Sequence, residues 1–332
     1  MSKRAIGAIV ALALSAAAAA AEDQPVLSGN IFIHDPSVVV IEGTFASFAT
    51  GVERAADGGT PRTKSSPDGL TWTETGALQG GQPEWIADAL GRMPPNLWAP
   101  SISEYEGTHY LYYAASTFGS NNSAIGLMTN DAFDATDPAT GWRDQGMVLR
   151  SHRSDAYNAI DPFRIDTEGG AWLAFGSFWD GIHLVEIDPR SGKRIDDAEP
   201  LLIASRHGGA IEAPAILEHD GGYFLFVSFG HCCRGVASDY RIMVGRSDAV
   251  TGPYRAKDGA DMREGGATEV LASDGRYRGP GGQEAFMGPD GPMLAYHYYD
   301  AAAGGRPKLG LAPLSWDAEG WPVIGPFPEA EG

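Results

Sequence analysis

Cysteine is nearly absent from this 332-residue chain: there are two, Cys232 and Cys233, and they are adjacent. A stabilising disulfide framework needs cysteines spread along the chain, and a structural zinc centre needs about four ligands, so both are excluded. A bond between neighbours staples no loop, which leaves this pair a local conformational role near a site rather than redox catalysis. Basic residues are also scarce. Lys and Arg number 24 against 43 Asp and Glu, for a formal net charge of −19. Such a surface repels nucleic acid, anionic membrane and acidic polymers such as polygalacturonate, and leaves a neutral ligand as the better fit. Beyond the N-terminus no apolar run is long enough for a membrane span.

The N-terminus differs from the rest. Lys3 and Arg4 precede an apolar run over residues 5–14 and an alanine tract ending near Ala21. A positive start, a short hydrophobic segment and small residues at the end have the form of a secretory signal peptide over residues 1–21. The mature chain then begins near Glu22, carries a net charge of −21 once Lys3 and Arg4 are removed, and works in the periplasm or outside the cell. With no visible linker, residues 22–332 read as one domain, expected to act as a monomer.

Five prolines punctuate that domain at steps of 64, 62, 52 and 66 residues: Pro36, Pro100, Pro162, Pro214 and Pro280. A glycine follows each of the first four by seven residues, in Glu42-Gly43, Glu106-Gly107, Glu168-Gly169 and Asp220-Gly221, with Asp290-Gly291 in the fifth unit. An acid followed by glycine between apolar runs is a hairpin signal, because glycine takes the positive φ that such turns need. Aromatic, strand-forming runs come next, at residues 45–48, 110–113, 172–175, 223–229 and 296–299. Five mostly antiparallel units of about sixty residues predict an all-β, five-bladed β-propeller with a site at its central funnel. A two-sheet sandwich would account for the strands but not for the fixed offsets. Proline at the first residue of a strand costs no ladder bond, so each innermost strand is expected to start at its proline. Residues 252–277 read as a long polar connection into the last blade, and residues after Trp321 as a strand and tail that close the ring.

Three of the prolines follow an acid. These acids are Asp35 in His34-Asp35-Pro36, Asp161 in Ile160-Asp161-Pro162 and Glu212 in Ile211-Glu212-Ala213-Pro214. Aspartate before proline also serves as a turn cap, so each alone is weak. Equivalent positions of a radial repeat converge on one axis, and there the three carboxylates meet. Carboxylates whose pKa values are pushed apart are the working parts of glycoside hydrolysis, one an ionised base and one a protonated acid. Trp98, Phe118 and Trp179 lie in loop-like contexts near these landmarks, where sugar rings could stack on them.

At this point the sequence resembles a known family. The segments HDPS (34–37), LWAP (97–100), STFGSNNSAIGL (116–127), NAIDP (158–162), FGSFWDGI (175–182), AIEAP (210–214), FVSFGHCCRGVASDYRIMVGRSDAVTGPY (226–254) and YHYYD (296–300) are similar to those of family 43 glycoside hydrolases, above all the endo-1,5-α-L-arabinanases. The resemblance runs in order over about residues 31–324. It implies an inverting mechanism on arabinan with Asp35 as general base, Glu212 as general acid and Asp161 raising the acid's pKa and orienting it. It also implies substrate contacts at Trp98, Phe118, Gly119, Asn158, Ala159, Ile160, Ser177, Phe178 and Trp179.

Two departures stand out. The family commonly reads Gly-Pro-Gly-His-Asn where this chain has Gly279-Pro280-Gly281-Gly282-Gln283. The histidine associated with a central ion is thus replaced by Gly282; Gln283 is what remains to hold a water or cation through its amide oxygen, and the ion is Ca2+, Na+ or absent. Ser101 stands where an acid is common. Two other functions remain open: an exo-acting α-L-arabinofuranosidase or β-xylosidase with the same machinery, and a non-catalytic glycan-binding propeller.

Overall fold

The second strand of each unit is an unbroken apolar and aromatic run, such as Thr108–Ala115 with Tyr112 and Tyr113 fully buried. Such a strand is covered on both faces, as it must be when sheets pack face to face around a ring. The computed structural model, which describes residues 26–53 and 55–325, forms a five-bladed β-propeller. The innermost strands are Ser37–Ile41, Leu97–Tyr105, Phe163–Thr167, Ile211–His219 and Tyr277–Gly288, and each blade adds three antiparallel strands in sequence order outward. The expected signal peptide, residues 1–21, lies outside the described residues. Among the described residues no helix is long and apolar enough to cross a membrane.

Three hairpins between first and second strands turn on residue pairs with both φ values positive: Glu42-Gly43, Glu106-Gly107 and Asp220-Gly221. That is the turn whose twist matches antiparallel strands, and it explains the acid-glycine signature. The fifth blade differs. There Gly288 pairs with Gly291, so the turn residues are Pro289 and Asp290 rather than Asp290-Gly291.

The proline rule also needs correcting. Pro36 and Pro162 immediately precede their strands, but Pro100 and Pro214 lie within strands at bulges. Pairing jumps from Trp98 to Ser101 and from Glu212 to Ala215, leaving each proline out of the ladder. A bulge tolerates proline because the extra residue makes no ladder bond. In the fifth blade the equivalent bulge is Gly282-Gln283, between Gly281 and Glu284, so Gln283 takes the repeat position and Pro280 does not.

Closure is achieved at the other end of the chain from that expected. Pro322–Ile324 is simply the outermost strand of blade five. The ring is joined by the N-terminal segment: Ser28–Gly29 pairs in parallel with Thr71 and Trp72 of blade one, and Phe32 bridges Lys308 of blade five. Leu27, Ile31 and Ile33 of this strap pack with Trp72, Leu309 and Leu311 in one core cluster. Burying three such side chains contributes roughly 5 kcal/mol before entropy is counted. The polar stretch 252–277 is not only a connection, since it includes Thr268–Leu271, the outer strand of blade four.

Candidate active site

Five backbone positions ring the channel in one unusual conformation. Asp35, Ala99, Asp161, Ala213 and Gly282 have φ of 52°, 39°, 54°, 53° and 57°, and each is followed by the proline or Gln283 of its blade. All ten residues line one cavity, open at the channel. Left-handed backbone costs a residue with a Cβ about 1–2 kcal/mol, and aspartate bears it better than most. Strain repeated at equivalent positions of one cavity marks a site. Asp35 and Asp161 are therefore equivalent, as the sequence implies. Glu212 is not: it sits one residue earlier, where blade one has His34 and blade two Trp98, and Ala213 takes the matching place.

The three carboxylates nevertheless share the channel, in different surroundings. Asp35 is half-buried; Oδ2 accepts from Thr50 Oγ1 at 2.6 Å and lies 2.8 Å from His34 Nδ1. Burial alone would raise its pKa, but the paired His34, with His297 and Thr50, overrides that and holds Asp35 well below the usual carboxylate range. His34 is raised in turn: burial opposes its charge, and Asp35 outweighs the burial. Asp161 is pushed well above its ordinary value by burial and then by the charges of Glu212 and Asp35, although Oδ2 accepts from the Ala213 N–H at 3.0 Å. That bond ties Asp161 to the residue directly after Glu212.

Glu212 is buried against the loop of blade three. Ser177 Oγ donates to Oε2 at 2.6 Å, and the Tyr240 hydroxyl donates to Oε1. Burial raises its pKa and the Asp35 charge adds to this, while the two hydroxyls oppose it. The channel thus sets one carboxyl held low, Asp35, against two that are raised, Asp161 and Glu212. That is the acceptor–donor set glycoside hydrolysis uses.

The other expected contacts divide. Ser177 touches Glu212, and Phe178 and Trp179 follow it half-buried at φ 53° and 39°, with the Phe178 N–H donating to the Ile211 carbonyl. Trp98 is half-buried, its Nε1 donating to Asn96 Oδ1 at 3.0 Å. Phe118 and Gly119 stand at an exposed loop tip, Phe118 being 84% exposed. Ala159 is fully buried in the core between blades two and three. Ile160 is also buried, and Asn158 Oδ1 accepts from Ser123 Oγ at 2.7 Å; both support the wall from behind.

The ion expectation turns on Gly282 and Gln283. A Cβ at Gly282 would come within 2.6 Å of Asp35 Oδ1 and 2.8 Å of the His297 ring, so no side chain enters there unless these move. The Gln283 amide oxygen accepts from Ser228 Oγ at 2.8 Å and its nitrogen donates to the Ala213 carbonyl at 2.5 Å; it is a strut between blades four and five. His34, Asp35 and His297 bring one donor atom each within 4.8 Å. Their hydrogen bonds are already made: His34 binds Asp35 and Tyr299, and His297 Nδ1 accepts from the Asp35 N–H at 3.2 Å. Of their side-chain atoms, Asp35 Oδ1 and the buried His297 Nε2 carry no hydrogen bond among the described residues, and two such atoms are not a ligand set. These residues do not fit the implied ion.

A fourth acid in the channel was not singled out from the sequence. Buried Glu284 accepts from Ser37 Oγ at 2.5 Å and is also bonded by Ser101, the position where an acid is common in the family. Burial pushes its pKa from 4.5 up to about 8, against the two serine hydroxyls. An acid whose pKa is raised by folding stabilises fully below its unfolded value and loses that stability as pH rises to the folded value. Unfolding free energy is therefore expected to fall between about pH 4.5 and 8 by on the order of 4 kcal/mol from this group. Glu284→Gln, which resembles the neutral acid, should remove that fall; urea melts of both proteins at pH 5 and 8 check it.

Tyr240, Thr50 and Tyr299 were likewise missed. Thr50 directly follows the second strand of blade one, Thr44–Ala49, and Tyr240 directly precedes the third strand of blade four, Arg241–Ser247. A search for polar residues at the channel ends of strands would have flagged both.

A five-bladed propeller whose channel sets a carboxyl of lowered pKa against two of raised pKa has the form of a glycoside hydrolase. The sequence profile of glycosyl hydrolases family 43 matches residues 23–322, and the chain belongs to that family. It is 39% identical over 298 residues to the extracellular endo-α-(1→5)-L-arabinanase 1 of Bacillus subtilis, covering 89% of this chain and 88% of that one. It is 37% identical to the extracellular exo-α-(1→5)-L-arabinofuranosidase ArbA of Cellvibrio japonicus, covering 89% and 87%. Among solved structures, the Cellvibrio cellulosa α-L-arabinanase complexed with arabinohexaose superposes with a TM-score of 0.81 at 35% identity, covering 89% of this chain and 96% of that one.

Proposed function

We propose that the protein is an inverting endo-α-1,5-L-arabinanase, working as a monomer on a neutral glycan. Asp35 is the general base, Glu212 the general acid, and Asp161 the group that orients Glu212 and keeps it protonated. The observation that carries the reading is the opposite treatment of two carboxyls: His34 lowers the pKa of Asp35, while burial and the Asp35 charge raise that of Glu212. Asp35 takes a proton from water as the oxygen attacks the anomeric carbon; Glu212 gives its proton to the departing glycosidic oxygen. Asp161 acts through the Ala213 N–H, which it holds at 3.0 Å. Relatives named as arabinan-cleaving enzymes support the substrate. Endo action is supported by relatives named as endo-acting arabinanases.

Export is supported by the leader-like residues 1–21, by the extracellular relatives and by the Cys232–Cys233 disulfide, since such bonds persist in oxidising compartments. Digestion of linear arabinan followed by NMR and product sizing tests the activity. The expected outcome is the β-anomer appearing first, in oligosaccharides of mixed length. The α-anomer appearing first would remove the water-activating role from Asp35, and arabinose alone from the outset would make the enzyme exo-acting.

A further inference from the structure

Asp35 is held by a chain of contacts that runs outward to an exposed disulfide. Its partner His34 is stacked on the buried His297 ring, with centroids 3.9 Å apart. At the far side of the imidazole, Nε2 meets the Tyr299 hydroxyl at 2.9 Å. The Tyr299 oxygen accepts from the backbone N–H of Cys233 at 2.7 Å. Cys233 adopts φ +65° and is joined to Cys232, and its Sγ lies 3.7 Å from His34 Nε2. A left-handed backbone is uncommon for a residue with a side chain, and the small ring closed by neighbouring cysteines restrains it. That restraint aims the Cys233 N–H inward.

We propose that Tyr299, anchored by the disulfide-bonded Cys233, is a positioning residue for Asp35: it fixes the His34 ring, and His34 fixes the carboxylate. The proposal rests on the assignment of Asp35 as the base. An imidazole bonded through one nitrogen can swing away from its carboxylate. Bonds at both nitrogens and a stacked neighbour leave one orientation, which is how outer partners tune a histidine. The groups facing His34 are Asp35, Glu212, His297, Tyr299 and Cys233. Asp35 and Glu212 favour its charge, and burial holds His297 neutral.

The test compares full-length wild type, Tyr299→Phe and Asp35→Asn on aryl arabino-oligosaccharides with good and poor leaving groups. In Tyr299→Phe, kcat is expected to fall about tenfold or more with KM within about twofold, as for a misaimed reacting group. The acid-side limb of kcat/KM should move up by about one pH unit, because a loosened His34 supports the Asp35 charge less. The loss should be equal for both leaving groups, since protonation by Glu212 is untouched. Dithiothreitol on the wild type should move the limb the same way, and this arm carries the test if the variant does not fold. An unmoved limb, with or without a slower rate, would leave Tyr299 a structural residue and overturn the proposal. If Asp35→Asn keeps its activity, the base assignment itself fails, whatever Tyr299→Phe does.

Discussion

Asp35→Asn is expected to lower kcat on linear arabinan by about 10³-fold or more while oligosaccharide binding persists. The carboxylate is the ionised member of the channel, and the amide cannot take a proton from water. A positioned base contributes roughly 10² to 10⁴ in rate. The amide also removes the charge that raises Asp161 and Glu212, so their pKa values should drop toward the ordinary range. The fold should survive, because the hydrogen bond from the Asp35 N–H to His297 is made by the backbone. Calorimetric titration of the variant with arabinohexaose, alongside steady-state rates, separates the two effects. Retained turnover, or binding lost in parallel with rate, would place the base elsewhere.

Glu212→Gln should split substrates by leaving group. Arabinan needs its departing oxygen protonated and is expected to slow by about 10³-fold or more. An aryl oligosaccharide with a dinitrophenolate leaving group needs no proton and should lose less than about tenfold. The pH profile makes a second check. Activity falls as pH rises past the pKa of the acid, which burial and the Asp35 charge have raised, so the wild type should show a basic limb and the variant should lack it. Rates measured with both substrates from pH 4 to 9 decide the matter. Equal losses on the two would take Glu212 out of the acid role.

Much of this site was legible in the sequence because it is local. His34-Asp35-Pro36 and Ile160-Asp161-Pro162 carry the left-handed aspartate and the following proline in consecutive residues. The acid-glycine turns mark three hairpins whose geometry follows from two neighbouring φ values. What failed was registration where a bulge intervenes. Pro280 satisfies the spacing, yet two bulges in one strand shift the true equivalent to Gln283. Glu212 reaches the axis from one residue earlier than its counterparts. The contacts that set the pKa values were out of reach for a different reason: His34 and Tyr299 are 265 residues apart, and Ser37 and Glu284 are 247 apart. Only the closed ring brings such pairs together, and nothing local in either partner announces the other. Gly282 could be seen as a departure, but that His297 and Asp35 fill the space beside it could not.

The strap that joins the first and last blades has a bearing on how the chain reaches its final form. Residues 28–33 are synthesised near the start, yet Ile31 receives its hydrogen bond from the amide of Leu309, close to the finish. A pairing that spans almost the whole polypeptide is among the slowest to form, because the entropy of joining distant ends comes due before any reward. The propeller therefore locks only after its last blade has been made.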